Sequence, residues 1–274
     1  MGYYPLLYGL PQRIFSTYMK IVIAMTGQGS RFKKAGYETY KALIPIHGKP
    51  VIQHVIELFP GETDFIFICR NDMLETTNLR EQLLGYVPTA QIVGIDSHKL
   101  GPVYTVSKIY DLIDDEEPVI CNYCDFSMVW DYAHFKKQME DTGVDGSVIC
   151  YTGFHPHLLH PKNLYATCLV DKDMNMLEIT EKHDYETDRE KGYYSGGTYY
   201  FKKGKYIKQY FEELMEQRVT IFDEYFISLP YNFMVRDGLK VNVYADVPHF
   251  CQWGTPEDME EYLSWSDIFK TLKS

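Results

Sequence analysis

The sequence predicts an open α/β fold, a mixed and mostly parallel sheet flanked by helices on both faces. Two observations carry that reading. "MKIVIAM" (19–25), "DFIFICR" (64–70), "AQIVGI" (90–95) and "EPVICNYC" (117–124) are short, continuous apolar runs rich in β-branched residues. Strands covered on both faces need such runs, whereas a sheet with one wet face shows alternation. Between them lie stretches whose apolar residues recur three and four apart, the spacing of an amphipathic helix. Strand alternating with helix builds a parallel sheet through crossovers. Ligands of such sheets sit beyond the carboxyl ends of the strands.

In chain order, helices are expected over "PVIQHVIELF" (50–59), "DMLETTNLREQLL" (72–84) and "PVYTVSKIYDLI" (102–113). Pro50 and Pro102 open two of them, where a missing N–H costs nothing. The second half is less regular. Strands are expected at 145–153, 165–171, 175–182, 193–201 and 240–246, with some antiparallel pairing, and helices over 202–217, 223–235 and 256–272. No repeat, low-complexity tract or linker interrupts the chain. A single domain over 19–274 follows, with lobes at 19–130 and 131–254 around a cleft and a C-terminal helix at 255–274. Residues 1–18, "MGYYPLLYGLPQRIFSTY", lack the basic start and unbroken apolar stretch of a signal peptide. They read as an extension dispensable to the fold.

At 274 residues and 45% hydrophobic, the chain can bury a full core. Its net charge of -11 leaves no basic surplus for general nucleic-acid or anionic-membrane binding. No apolar run approaches the roughly 20 residues that span a bilayer. The six cysteines lie mostly in apolar runs and read as buried thiols of a reducing compartment, so the cytoplasm is expected. Cys121 and Cys124 make one C-x2-C without a second pair, which falls short of a zinc pattern.

Against this acidic background, "AMTGQGSRFKKAGYETYKALIPIHGKPVI" (24–52) gathers positive charge and small residues. Gly27 and Gly29 follow the first strand at once, and glycine lets backbone N–H groups approach phosphate oxygens with no Cβ in the way. Arg31 offers a planar fork of donors and Lys41 a compact charge. Lys49 reads as a helix-entry or substrate-side residue, or as a solvated surface lysine. A P-loop needs G-K-[ST], but "GKP" ends in proline. A dinucleotide fingerprint needs a third glycine where Phe32 stands. A glycine pair alone is otherwise an ordinary strand-to-turn junction.

In order and spacing, "GQGSRF" (27–32), Lys41 and "LIPIHGKPVI" (43–52) resemble the signature of sugar-phosphate nucleotidyltransferases, the NDP-sugar pyrophosphorylases. The resemblance extends over most of residues 19–265, although Tyr40 stands where the family has proline. It implies a Rossmann-like, GT-A-like fold, with 19–130 binding the nucleotide and 131–254 the acceptor. It implies that Thr26, Gly27, Gly29, Ser30 and Arg31 hold the triphosphate and that Arg31 and Lys41 are catalytic. Gly101, in "HKLGPVYTVSKI", would let the base approach the backbone, and Asp125, in "VICNYCDFSMVWD", would hold Mg2+. Glu181 and Lys182, in "EITEKHDY", would meet the acceptor, Lys182 also acting in catalysis; Gly197, in "YYSGGTYYF", would leave room for it.

Two departures matter. His183 replaces a proline, and Gln252, in "FCQWGTPEDMEEY", replaces the aspartate that completes the family's metal site. An amide oxygen brings no charge, so either Asp125 and the substrate's phosphates suffice for the metal, or Asp246 or another acid compensates. "GFHPHLLHP" gathers His155, His157 and His160, which suggests a loop lining the acceptor pocket more than a metal site.

The implied partners are a nucleoside triphosphate and a phosphorylated small molecule, with no nucleic acid and no membrane; a homo-oligomer is allowed. The default acceptor is a sugar 1-phosphate, for capsule or surface-glycan supply. A cytidylyltransferase for a non-sugar phosphate, phosphocholine-like or phosphoamide-like, is the alternative. A GT-A glycosyltransferase would need an Asp-x-Asp pair, which "CDFS" lacks, and a nucleotide-binding domain without turnover is the third reading.

Overall fold

The computed structural model describes residues 18–272. The expected extension, apart from Tyr18, lies outside the described residues. The first half holds β1 (Lys20–Met25), α1 (Ser30–Lys34), β2 (Pro45–Ile46), β3 (Lys49–Pro50), α2 (Val51–Ile56), β4 (Phe65–Arg70), α3 (Asn71–Thr76), α4 (Leu79–Tyr86), β5 (Gln91–Ile95), α5 (Gly101–Ser107) and β6 (Val119–Tyr123). The second holds β7 (Phe126–Val129), α6 (Tyr132–Thr142), β8 (Gly146–Tyr151), β9 (Ala166–Val170), β10 (Met176–Glu181), β11 (Tyr193–Phe201), α7 (Gly204–Glu216), α8 (Pro230–Arg236), β12 (Val241–Tyr244), β13 (His249–Gln252) and α9 (Pro256–Thr271).

The main sheet runs β10-β9-β11-β6-β1-β4-β5, with β8 pairing β11 and β12. β1 pairs parallel to β4 and β6, and β4 parallel to β5. β11 joins antiparallel to β6, β8 and β9 and so stitches the second half on. This is the expected fold class. The continuous apolar strands explain it: Ile21 and Ile23 bury into one core and Val22 into the other, on opposite faces of the sheet. Each such side chain contributes about 2 kcal/mol relative to exposure. Among the described residues, no helix is long and apolar enough to cross a membrane.

Two local expectations are corrected, and one element is new. The helix over 72–84 breaks between α3 and α4 because extended Thr77 intervenes (φ -134°, ψ 170°). Its hydroxyl donates to the Met73 carbonyl at 2.7 Å and accepts from the Leu79 N–H at 3.2 Å, closing one helix and opening the next. The helix over 223–235 begins only at Pro230, since proline sits comfortably in a first turn. The chain before it makes a tight turn in which Ile221 and Glu224 exchange backbone hydrogen bonds at 3.0 and 3.1 Å, with Phe222 and Asp223 at positive φ. Finally, β7 and β13 pair antiparallel into a small ribbon that the sequence did not suggest. The helix after Asp125 starts at Tyr132, and Asp131 caps it by accepting from the His134 N–H at 2.8 Å. Asp125 is therefore free of any capping duty.

Candidate active site

The turn after β1 is held open by its own bonds. Gly29 takes φ +61° and leads into α1, and a Cβ built there would meet nothing within 4 Å. Phe32 anchors α1 in the core. Thr26 is buried, its hydroxyl 2.6 Å from the Thr105 hydroxyl, which lies 3.1 Å from His98 Nε2. Gln28 Nε2 donates to Ser97 Oγ at 2.5 Å and to the His98 carbonyl at 3.1 Å. The turn is thus laced to the 97–105 segment. Arg31 projects from α1, exposed and outside every ion pair found among the described residues.

Lys41 sits on the 3-10 turn Lys41–Leu43 and reaches Asp125, its Nζ 2.6 Å from Oδ2. Burial alone would lower the ammonium's pKa. The charge of Asp125 and the hydrogen bond overcome it, so the net shift is upward and the lysine stays charged. Asp125 follows β6, and its carbonyl accepts from the Trp253 N–H at 3.1 Å. A Cβ on Gly254 would lie 2.8 Å from Gln252 Nε2 and 3.3 Å from Asp125 Oδ2. A side chain there would crowd the space between the carboxylate and the Gln252 amide. Burial pushes the neighbouring Cys124 thiol up to about 12, so it stays neutral. Cys121 packs into the core on the other face of the sheet, which splits the C-x2-C pair.

A cleft of about 520 Å³ beyond the strand ends brings together Thr26, Gly27, Gly29, Ser30, Arg31, Lys41, Gly101 and Asp125. Glu181, Lys182 and Gly197 do not line it. Lys182, at φ +58°, holds its ammonium 4.1 Å from the Phe222 ring centre and 5.7 Å from that of Phe226. Both rings line the cleft, so this lysine stands at the rim. Glu181 accepts from Ser228 Oγ, and burial raises its carboxyl pKa despite that bond and the charge of Lys182.

Two glycines serve the chain as much as a ligand. Gly101 has φ +85°, and its Cβ would lie 2.7 Å from both the N and the O of Tyr225. The Tyr225 N–H donates to the Leu100 carbonyl at 2.9 Å and the Val103 N–H to the Tyr225 carbonyl at 3.1 Å. Gly197, at φ +89°, lies in an irregular stretch of β11, where a Cβ would come within 2.9 Å of the Tyr123 ring.

The remaining candidates are satisfied by neighbours. Lys49 pairs with Glu57 on the surface at 2.8 Å. His155 Nε2 accepts from the Phe250 N–H at 3.2 Å, His157 Nε2 lies 2.7 Å from the Tyr151 hydroxyl, and His160 Nδ1 accepts from the Lys162 N–H at 3.1 Å. Asp246 lies outside the cleft, exposed and 3.7 Å from His134 Nδ1. Among the described residues no three of His, Cys, Asp and Glu gather as a metal cluster.

Sequence reasoning missed Tyr165 and Asp258. The Tyr165 hydroxyl is buried with no hydrogen-bond partner, and burial, then the charges of Asp258 and Asp125, raise its pKa. Asp258 accepts from Thr255 Oγ1 at 2.7 Å, and its pKa is raised by burial and by Glu261 although Arg31 opposes the shift. Both come from loop and helix geometry that no motif announced.

A glycine turn, an exposed arginine and a lysine–carboxylate pair are grouped beyond the strand ends of a mixed α/β sheet, where such folds bind their ligands. A MobA-like NTP transferase domain is matched over residues 21–184, and the chain belongs to that family of nucleotidyltransferases. Three solved structures show the same fold. The nucleoside-diphosphate-sugar pyrophosphorylase from Vibrio cholerae RC9 is 20% identical, with TM-score 0.72 over 89% of this chain and 99% of its own. A Bacillus anthracis protein assigned as a glucose-1-phosphate thymidylyltransferase is 16% identical, with TM-score 0.70 over 90% and 94%. The inositol-1-phosphate CTP transferase from T. maritima is 12% identical, with TM-score 0.65 over 91% and 96%. No curated protein sequence matches the chain at a significant level. The resemblance drawn from the glycine turn and the lysine motif is borne out by the family and the fold.

Proposed function

We propose that the chain transfers a nucleoside monophosphate from a nucleoside triphosphate to the phosphate of a small metabolite, releasing pyrophosphate. A sugar 1-phosphate is the first acceptor to test, with the cytoplasmic supply of capsule or surface-glycan precursors as the setting. The observation that carries this reading is the Lys41–Asp125 pair facing the Gly27–Gly29 turn in one cleft with Arg31. The acceptor's phosphate oxygen forms a bond to the α-phosphorus, and the bond from that phosphorus to the bridging oxygen breaks. Pyrophosphate leaves with the electron pair. Positioning and charge neutralisation supply most of the rate. Arg31 meets the leaving phosphates, Lys41 the oxygens nearer the reacting centre, and Lys182 receives the acceptor's phosphate from the rim beside Phe222. Glu181 and Gly197 shape the acceptor side.

The donor set suits a magnesium ion. Such a hard cation takes carboxylate oxygen and keeps several waters, so Asp125 together with the substrate's phosphates would hold it, beside the uncharged Gln252 amide. When bound, the ion adds positive charge against the triphosphate.

A second reading, a cytidylyltransferase for a non-sugar phosphate, is favoured by Gln252 and His183, which alter the acceptor-side motifs. Each of the four triphosphates should be combined with a panel of sugar and non-sugar phosphates, and pyrophosphate followed. Release with one pair supports the proposal and names its substrates. Tight triphosphate binding without release across the whole panel sinks it.

A further inference from the structure

A second groove, of about 660 Å³, lies between β13, the 154–159 segment and one face of α9. Its walls are rings. Phe250 and His157 form one side, and Tyr262, Trp265 and Phe269, three and four residues apart along α9, form the other. Phe154, Trp265 and Phe269 are 60, 50 and 57% exposed, an unusual grouping of large apolar side chains.

The charges in this groove are unbalanced. Asp258 and Glu261 enter from the same helix face, and Glu261 has no ion pair among the described residues. Lys270, at the far end, is engaged by Asp267 at 3.1 Å and by His47 Nδ1 at 3.1 Å. His157 is bonded to Tyr151 and held neutral by burial, its pKa lowered to about 3. His249 also borders the groove. A phosphate there would meet two carboxylates. An alkylammonium group would meet ring faces that attract a cation, apolar surface for its methyl groups, and carboxylates that neutralise its charge.

We propose that this groove binds an alkylammonium group. Gln252 and Asp258 line it, and Gln252 shares the Gly254 corner with Asp125. If the transfer reaction proposed above holds, on which this step rests, the ammonium can belong to the acceptor, a phosphorylated amino alcohol. The other source of the same chemistry is a free ammonium metabolite acting on the enzyme as an effector.

The test is calorimetric titration of the full chain with choline and with its neutral isostere 3,3-dimethylbutan-1-ol. The same titrations on Trp265→Ala and Glu261→Gln change exposed positions and spare the fold. Saturable choline binding, weakened roughly tenfold or more in each variant and absent for the isostere, is expected. Pyrophosphate release is then followed with phosphocholine, and with a sugar phosphate plus and minus choline. Release with phosphocholine assigns the ammonium to the acceptor. An altered rate with the sugar phosphate assigns it to an effector. Choline binding without release from any acceptor keeps the groove and rejects the transfer reaction. No saturable choline binding, equal binding of the isostere, or affinity unchanged in both variants overturns the proposal.

Discussion

Lys41 and Asp125, separated by 84 residues in sequence, meet with Nζ 2.6 Å from Oδ2 at the carboxyl end of the parallel strands. The two ends of this pair come from different parts of the chain: a 3-10 turn entering the β2–β3 hairpin, and the exit of β6. Only the parallel pairing of β6 with β1 brings them to one side of the glycine turn. Removing Lys41 leaves a half-buried carboxylate without its cation and takes a positive charge from the oxygens nearer the reacting centre. Lys41→Ala and Arg31→Ala should each lower turnover by on the order of a hundredfold or more, as loss of one transition-state donor does. Arg31→Ala should leave thermal stability unchanged, because Arg31 is exposed and outside the ion pairs. Steady-state pyrophosphate release and calorimetric melting check both; wild-type turnover in both variants would contradict their roles.

Asp125→Asn separates metal binding from lysine positioning. The amide keeps the shape but loses the charge that Lys41 faces and that a magnesium ion would take. Expected is a loss of most of the Mg2+ response, read as rate against metal concentration, with little change in fold by circular dichroism. An unchanged metal response places the ligand elsewhere. Gln252→Asp is the complementary variant: a second carboxylate next to Asp125 should lower the Mg2+ concentration at half-maximal rate.

The sheet was legible because "MKIVIAM" and "DFIFICR" are continuous and β-branched, and such runs admit few alternatives to buried strands. Gly27, Arg31 and Lys41 were legible because charge and missing side chains stood out against an acidic chain. The β7–β13 ribbon was not, since its strands are four residues each and pair across more than a hundred residues. The turn at 221–224 hid behind a helical pattern, because its Phe222 takes positive φ, which a bulky aromatic residue rarely does. Asp258 sits in the first turn of α9, where its N–H donates to Thr255 Oγ1 at 3.1 Å. Its place beside the cleft depends on where α9 packs against β13, a tertiary fact.

Gly101→Ala tests whether the wall of the cleft at Gly101 is built on the 221–226 turn. The new methyl would sit 2.7 Å from the Tyr225 backbone at a residue with φ +85°. Positive φ alone costs about 1 kcal/mol for alanine, and the backbone clash adds to it. Stability should fall by roughly 2 kcal/mol or more, and the triphosphate KM should rise as the turn carrying Phe222 shifts. A melting temperature equal to that of the wild type would show that the turn moves freely.

His157 should make the protein acid-sensitive. Burial first, then His155 and Arg189, lower its pKa from 6.5 to about 3. The unfolded chain therefore binds a proton between about pH 3 and 6.5 that the folded chain refuses, so stability falls as pH drops through that window and is flat above about 7. At about 1.4 kcal/mol per pKa unit, and discounting for partial solvent access, the loss from pH 7 to 4.5 is roughly 2 kcal/mol from this residue. His157→Gln cannot take the proton, and its amide can still bond the Tyr151 hydroxyl, which lies 2.7 Å from the native Nε2. Urea midpoints at the two pH values should converge in the variant relative to the wild type. An equal acid loss in both proteins would mean that His157 titrates normally, and that the ring cluster around Tyr151 opens to water before the rest of the molecule.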